Sequence, residues 1–153
     1  MAKLKLNENL VAENVKDLIE KLGVSATAEI SKVENTYFID IESEDSPLLI
    51  GKYGANLESL QFVLAVRLKS QTGQEDFELF VDVAGWRKQK EEKLKNMAQN
   101  IADKVVSTGK DEHLYNLKPS ERRVVHTALT AHPRVTTVSE GEGEGRYLII
   151  KPK

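Results

Sequence analysis

The chain has 153 residues, of which 40% are hydrophobic and 30% are charged, a composition typical of one ordinary folded domain or two small ones. No apolar run approaches the roughly 20 residues of a membrane-spanning helix, and the amino terminus lacks the pattern of a secretory signal. We therefore expect a cytoplasmic protein that is not integral to a membrane. The chain has no cysteine, which excludes disulfides, thiolate metal ligands and cysteine nucleophiles.

The net charge of −2 hides a difference between the two halves of the chain. Residues 1–83 contain 8 Lys and Arg against 15 Asp and Glu, a net charge of −7, whereas residues 84–153 contain 14 against 9, a net charge of +5. Attraction to a polyanion follows the local field rather than the total charge, so a mildly acidic chain can bind nucleic acid through one basic face. The second half is the better electrostatic partner for phosphate groups.

Hydrophobic periodicity predicts six elements in the first half. In chain order they are a helix over 9–22, a hairpin of strands over 26–32 and 37–41, a short apolar segment over 48–50, a helix over 57–68, and a strand over 77–83. The glycines between the last two helical segments separate them into two helices. The predicted order is thus helix, strand, strand, helix, helix, strand.

The second half begins with a long predicted helix over 86–107. Its first turns are basic, with Arg87, Lys88, Lys90, Lys93 and Lys95. One side of the helix is apolar and carries Leu94, Met97, Ile101 and Val105. A shorter helix begins near Pro119, whose fixed φ suits a first helical turn, and ends before Pro133. Strands over 134–138 and 146–151 flank a loop over 139–145 that is rich in glutamate and glycine, which we interpret as a flexible hairpin loop.

Gly51, Lys52, Tyr53 and Gly54 form a Gly-x-x-Gly turn at the predicted junction of two helices. Two glycines allow a backbone to approach a bound group where a Cβ would obstruct it, and the amino end of the next helix supplies free N–H donors. A sugar-phosphate chain can then pass over the turn, with Lys52 near a phosphate. Taken alone, such a tetrapeptide is more often an ordinary turn.

The segment from Ile50 to Gln61 resembles the signature of KH domains, and the predicted element order matches the bacterial type II form (αββααβ). In that family the turn clamps the backbone of a few nucleotides of a single strand. The resemblance therefore implies that Gly51, Lys52, Tyr53 and Gly54 bind RNA. Tyr53 has two open interpretations, because its ring can stack on a base or lie on the loop's own surface.

The helix that begins at Pro119 has a polar face with two basic residues one turn apart. At about 100° per residue, Arg122, Arg123, His126 and Thr130 fall on one side, and Val124, Val125, Ala128, Leu129 and Ala131 fall on the other. A guanidinium and an imidazole one turn apart can grip a single phosphate, with Arg123 beside them. By composition alone, an ordinary solvated helix face is the more common explanation.

The segment from Pro119 to His126, together with residues 138–142 and the terminal strand, resembles the R-three-H (Arg-x-x-x-His) domain. Domains of that family bind single-stranded nucleic acid. The two motifs in this order, bridged by residues 81–87, resemble the Jag family of bacterial SpoIIIJ-associated proteins over about residues 9–150. The resemblance implies RNA binding by Arg122, Arg123 and His126, a link to cell elongation and division and hence to cell shape, and pairing with a second small KH protein.

We therefore predict an α+β fold of two small domains. The first, over residues 1–83, is a type II KH domain, and the second, over residues 84–153, is an R-three-H domain with helices packed on a small sheet, including the long helix over 86–107. Many Jag proteins carry a further amino-terminal domain and a charged linker, whereas this chain starts almost at the KH helix. Functions of that further domain are not carried over.

Two rival functions compete with RNA binding. An enzyme is disfavoured, because His113, His126 and His132 would need carboxylates to hold zinc, and no nucleophile with its base is apparent. A protein-docking module is the alternative, in which the chain pairs with another KH protein, with a second copy of itself or with membrane-insertion machinery. In pairing with another KH domain, Phe38 or Phe80 would be interface residues, although ordinary core or half-exposed strand positions are the more common explanation for both. We predict a non-enzymatic protein without cofactor or metal, whose two sites clamp one single-stranded RNA, with single-stranded DNA left open.

Overall fold

The computed structural model describes residues 2–153, and the chain divides into two compact units between Arg87 and Lys88. Both units combine helices with one three-stranded sheet, so the fold is α+β as predicted. Within the described part of the chain, no helix is both long and apolar enough to span a membrane.

The first unit has the predicted order of elements. They are α1 (Glu8–Leu22), β1 (Ala26–Val33), β2 (Thr36–Ser43), α2 (Ser46–Ile50), a single 3-10 turn (Lys52–Gly54), α3 (Ala55–Thr72) and β3 (Glu78–Val83). The Asn7 side chain accepts a hydrogen bond of 2.9 Å from the Leu10 N–H and so caps α1. Gly23, in the left-handed region with φ 75°, ends this helix.

The first sheet has the strand order β1-β2-β3, in which β1 and β2 are antiparallel and β2 and β3 are parallel. One face of the sheet is apolar and packs against α1 and α3. Its buried residues are Tyr37, Ile39, Ile41, Leu79, Val81 and Val83, and the helices contribute Val11, Val15, Leu57, Leu64 and Leu68, all in one core. The alternation of buried and exposed residues along β2 and β3 explains this arrangement.

The first unit extends into the next helix, α4 (Trp86–Thr108). Trp86 packs against the first core, and Arg87 donates hydrogen bonds to the Val81 carbonyl at 2.8 Å and to the Gln61 side chain at 3.2 Å. These contacts explain why the compact unit continues to Arg87, beyond the domain boundary predicted between residues 83 and 84.

The second unit contains most of α4, then β4 (Glu112–Leu114), α5 (Pro119–Leu129), β5 (Val135–Glu140) and β6 (Tyr147–Pro152). Its sheet is antiparallel throughout, with the order β4-β6-β5. The core is formed by Ala98, Ala102 and Val105 of α4, Val125 and Leu129 of α5, and Val135, Leu148 and Ile150 of the strands. Both helices thus pack on the same face of the sheet.

Several details of the second unit differ from the sequence prediction. β4 was not predicted, since three residues with a single apolar side chain give no periodic signal. Ala128 and Ala131 are exposed, because α5 ends at Leu129 and contacts the core through Val125 and Leu129, one turn apart. The predicted loop over 139–145 is shorter, since β5 continues to Glu140 and residues 143–145 form a 3-10 turn.

Gly54 packs directly against the indole of Trp86. A Cβ at this position would lie 2.4 Å from Cη2 and 2.6 Å from Cζ3 of Trp86, and φ is +76°. We expect Gly54→Ala to lower the free energy of unfolding by about 1–3 kcal/mol beyond the cost of the left-handed backbone, because the rigid ring has to move. Thermal and denaturant unfolding followed by circular dichroism measure this difference.

Gly23→Ala is the matched control. Gly23 has nearly the same φ, +75°, but nothing lies within 4 Å of the position that a Cβ would take there. Gly23→Ala therefore has the free-energy cost of an alanine in the left-handed region, but no steric overlap. Equal destabilisation of the two variants would contradict a packing role for Trp86 at Gly54.

Glu121 connects the start of α5 to α4. Its carboxylate accepts hydrogen bonds from the Lys118 backbone N–H at 2.9 Å and from Lys90 Nζ at 2.7 Å. Partial burial acts to raise the pKa of Glu121, but these two donors outweigh it, so the pKa lies below its ordinary value of 4.5. A carboxyl group whose pKa falls on folding stabilises the protein above its unfolded pKa and loses that effect as the pH drops through its folded pKa.

We therefore expect Glu121→Gln to lower the stability by about 1 kcal/mol at neutral pH and to match the wild type at a pH below the folded pKa of Glu121. Unfolding curves at a series of pH values test this. Glu142→Gln, which removes the same charge from an exposed residue of the same unit, is the control. A stability loss for Glu121→Gln that persists unchanged in acid would exclude the charged interaction as its cause.

Candidate nucleic-acid interface

The turn from Gly51 to Gly54 joins α2 to α3 through three residues with positive φ. The φ values are 70° at Gly51, 54° at Tyr53 and 76° at Gly54. A Cβ at Gly51 would lie 2.5 Å from Cγ of Asn56, whose side-chain N–H donates to the Leu48 carbonyl at 2.8 Å and holds the turn closed. The turn therefore requires glycine at both ends for reasons of packing.

The two residues between these glycines face water. Lys52 is exposed, Tyr53 retains 77% of its surface, and Lys52 Nζ lies 5.5 Å from the centre of the Tyr53 ring. A tyrosine in the left-handed region costs roughly 1–2 kcal/mol, which is unusual for a residue that contributes nothing to the core. The turn thus presents a cation and an open aromatic face beside the amino end of α3.

On α5, the three residues predicted to bind phosphate lie in different surroundings. Arg122 is partly buried and donates a hydrogen bond of 2.6 Å from Nη1 to the Leu117 carbonyl, whereas the His126 ring shares a hydrogen bond with the Thr137 hydroxyl of β5. Arg123 is exposed. The two side chains one turn apart are therefore anchored to separate elements, and a joint grip on one phosphate stays a prediction.

Arg122 lines an open cleft in the second unit. The other lining residues are Asn116, Leu117, Lys118, Pro119, Gly143, Glu144 and Arg146. Arg146 donates from Nη1 to the Gly141 carbonyl at 3.0 Å, which directs it toward the Gly-rich turn. Three cationic residues and one carboxylate line this cleft, a charge balance that suits a phosphate group.

The sequence analysis missed Lys118 and Arg146. They are distant in sequence and come together because β4 pairs with β6, with Leu114 opposite Leu148. The available signal was a basic residue directly after a Gly-rich loop, which is weak on its own.

The basic start of α4 is less available than its composition suggested. Lys90 pairs with Glu121, Lys95 pairs with Glu91 at 2.9 Å, and Arg87 binds Val81 and Gln61. Lys88 and Lys93 are exposed. Among the basic residues of these turns, Lys88 and Lys93 are therefore the most open to a phosphate group.

No group of three or more histidine, aspartate and glutamate residues is arranged to hold a metal ion among residues 2–153. The cation-lined cleft and the exposed turn are both suited to a phosphate backbone.

Comparison with known proteins identifies the second unit. Residues 92–152 match the family model of the R-three-H domain. The RNA-binding protein KhpB of Clostridium symbiosum is 31% identical over 132 residues, which cover 86% of this chain and 59% of that protein. KhpB of Bacillus subtilis (strain 168) is 31% identical over 138 residues, which cover 89% and 66%. KhpB of Streptococcus pneumoniae (strain D39) is 25% identical, with 89% and 41% covered.

This chain thus spans 59% of the first of these relatives and 66% of the second. All three relatives are named as RNA-binding proteins, and none of the three names indicates an enzyme. The match to the R-three-H family agrees with the resemblance seen in the Arg-x-x-x-His motif. The chain carries an R-three-H domain over residues 92–152 and is similar along most of its length to the RNA-binding proteins named KhpB.

Proposed function

We propose that this protein binds single-stranded RNA without catalysing a reaction, through one site in each compact unit. The observation that carries the proposal is the cleft in which Lys118, Arg122 and Arg146 converge within an R-three-H domain. The names of the KhpB relatives support RNA as the ligand. Post-transcriptional regulation linked to cell elongation or division is the role that the resemblance to the Jag family favours.

The first site is the turn Gly51–Gly54, and the first unit is a type II KH domain in this proposal. Its support is the αββααβ order, the parallel pairing of β2 with β3 and the exposed turn before α3. A strand passing over the turn would place a phosphate near Lys52 and the N–H groups at the start of α3. Tyr53 would then face the adjoining base.

The second site consists of Arg122, Arg123 and His126 with the cleft beside them. The guanidinium of Arg122 has five N–H donors, and only its Nη1 group donates to Leu117, so further donors remain for a phosphate. Engaging one strand at both sites would raise the affinity above that of either site.

Lys52→Asp tests the first site without disturbing the glycines. We expect the affinity for a labelled single-stranded RNA to fall about tenfold at low salt, because an attraction to phosphate becomes a repulsion. Fluorescence anisotropy at several salt concentrations measures this. The control is Lys5→Asp, which makes the same charge change at an exposed residue outside the turn.

Lys52→Asp and Lys5→Asp binding equally well would contradict the KH assignment of the turn. Substituting Gly51 or Gly54 is a poorer test, because Asn56 and Trp86 occupy the space that any side chain there would need.

Arg122→Ala tests the second site. Loss of one phosphate contact should weaken binding and reduce the slope of log K against log salt concentration by about 0.7, the value for one contact to a single strand. Arg122→Lys keeps the charge but not the planar fork, so it should weaken binding with little change in slope. The charge control is Lys110→Ala, an exposed lysine of the same unit.

If Arg122→Ala behaved like Lys110→Ala in both affinity and slope while remaining folded, Arg122 would not contact phosphate. Failure of the wild type to bind any single strand would favour the second candidate function, a protein-docking module. Phe38 and Phe80 support that candidate, since they stack at 5.8 Å on the outer face of the first sheet with 38% and 46% of their surfaces exposed. Asp40 and Asp82 pair on the same strands and make this face unsuited to phosphate.

A further inference from the structure

Three aromatic rings cluster on the outer face of the second sheet. Leu148 and Ile150 point into the core, so Tyr147 and Ile149 face the opposite side, where His113 is the strand partner of Ile149. The ring centres of Tyr115 and Tyr147 are 5.1 Å apart, those of His113 and Tyr147 are 5.8 Å apart, and those of His113 and Tyr115 are 6.2 Å apart. We refer to His113, Tyr115 and Tyr147 as the aromatic cluster.

The cluster has a fixed part and an open part. The Tyr147 hydroxyl donates to Glu140 Oε2 at 3.1 Å, an interaction that raises the pKa of Tyr147 and fixes the direction of its ring. Ile149, on the same face, is only 4% exposed, whereas Tyr115 keeps 61% of its surface in water. The fold therefore leaves most of the Tyr115 ring exposed.

The aromatic cluster adjoins the cation-lined cleft along the chain at two points. Tyr115 is followed directly by Asn116, and Tyr147 is preceded directly by Arg146, and both Asn116 and Arg146 line the cleft with Arg122. A flexible chain with phosphates in the cleft would have its next bases at these rings. The negative charge of Glu140, at the edge of the cluster, repels a phosphate there but not an uncharged base.

We propose that the aromatic cluster is a base-stacking platform for a single strand whose phosphates occupy the cleft at Arg122 and Arg146. The proposal rests on the RNA-binding function proposed above and adds a site outside the two motifs. Every nucleobase offers a π face, so the platform would add affinity with little sequence preference. Tyr115 is the stacking residue, and Tyr147 positions it.

Tyr115→Ala distinguishes stacking from charge. We expect the affinity for a labelled oligouridylate of about 12 nucleotides to fall about tenfold with an unchanged salt slope, because stacking releases no counterions. An abasic oligomer of the same length, which keeps the phosphates, should bind the wild type and Tyr115→Ala equally. Tyr115→Phe, which retains the ring, should bind oligouridylate like the wild type.

Phe62→Ala is the matched control, because it removes an aromatic ring that is 70% exposed in the other unit. Equal binding of oligouridylate by the wild type and Tyr115→Ala would overturn the platform and leave the proposed function standing. If Tyr115→Ala lost as much affinity for the abasic oligomer as for oligouridylate, the platform would also be overturned, since the bases would not be involved. If the wild type bound neither oligomer, both proposals would fall together.

Discussion

The parallel pairing of β2 with β3 determines most of the first unit. Parallel neighbours end at the same edge of a sheet, here where Ile41 lies opposite Val83 and the Ala84 N–H donates to the Ile41 carbonyl at 2.9 Å. The chain leaves this edge twice, once into α2 and once into α4. That is why Gly54, at the end of the first path, lies against Trp86, at the start of the second. The geometry of the turn thus depends on a residue distant from it along the chain.

In the second unit, both helices cover the same face of the sheet. Ala98 and Ala102 are fully buried there, and their small side chains let α4 approach the strands closely. The outer face has no helix to cover it within the described residues of the unit, and its side chains cover one another instead. Aromatic rings are well suited to such a face, since they bury an aliphatic residue beneath them while remaining partly in water.

The sequence predicted the secondary structure well where the hydrophobic periodicity was strong. The bounds of α1, α4, β1 and β2 lie close to the prediction, and the order of elements in the first half was correct. The centre of the α4 face was misplaced, because the large residues Met97 and Ile101 lie at the margin of the core and two alanines occupy its middle. The cleft could not be predicted, since it depends on the register of β4 and β6, and β4 has too few apolar residues to be recognised. The roles of Lys52, Arg122 and His126 stay predictions drawn from resemblance.

The contact between Gly54 and Trp86 also provides an intrinsic fluorescence probe. Trp86 is the single tryptophan of the chain and packs against the core of the first unit, so indole emission reports on this packing next to the turn. Far-ultraviolet circular dichroism, in contrast, follows the helices of both units. Melting curves recorded by the two methods on one sample therefore compare the stabilities of the two units directly, and coincident midpoints would mean that they unfold together.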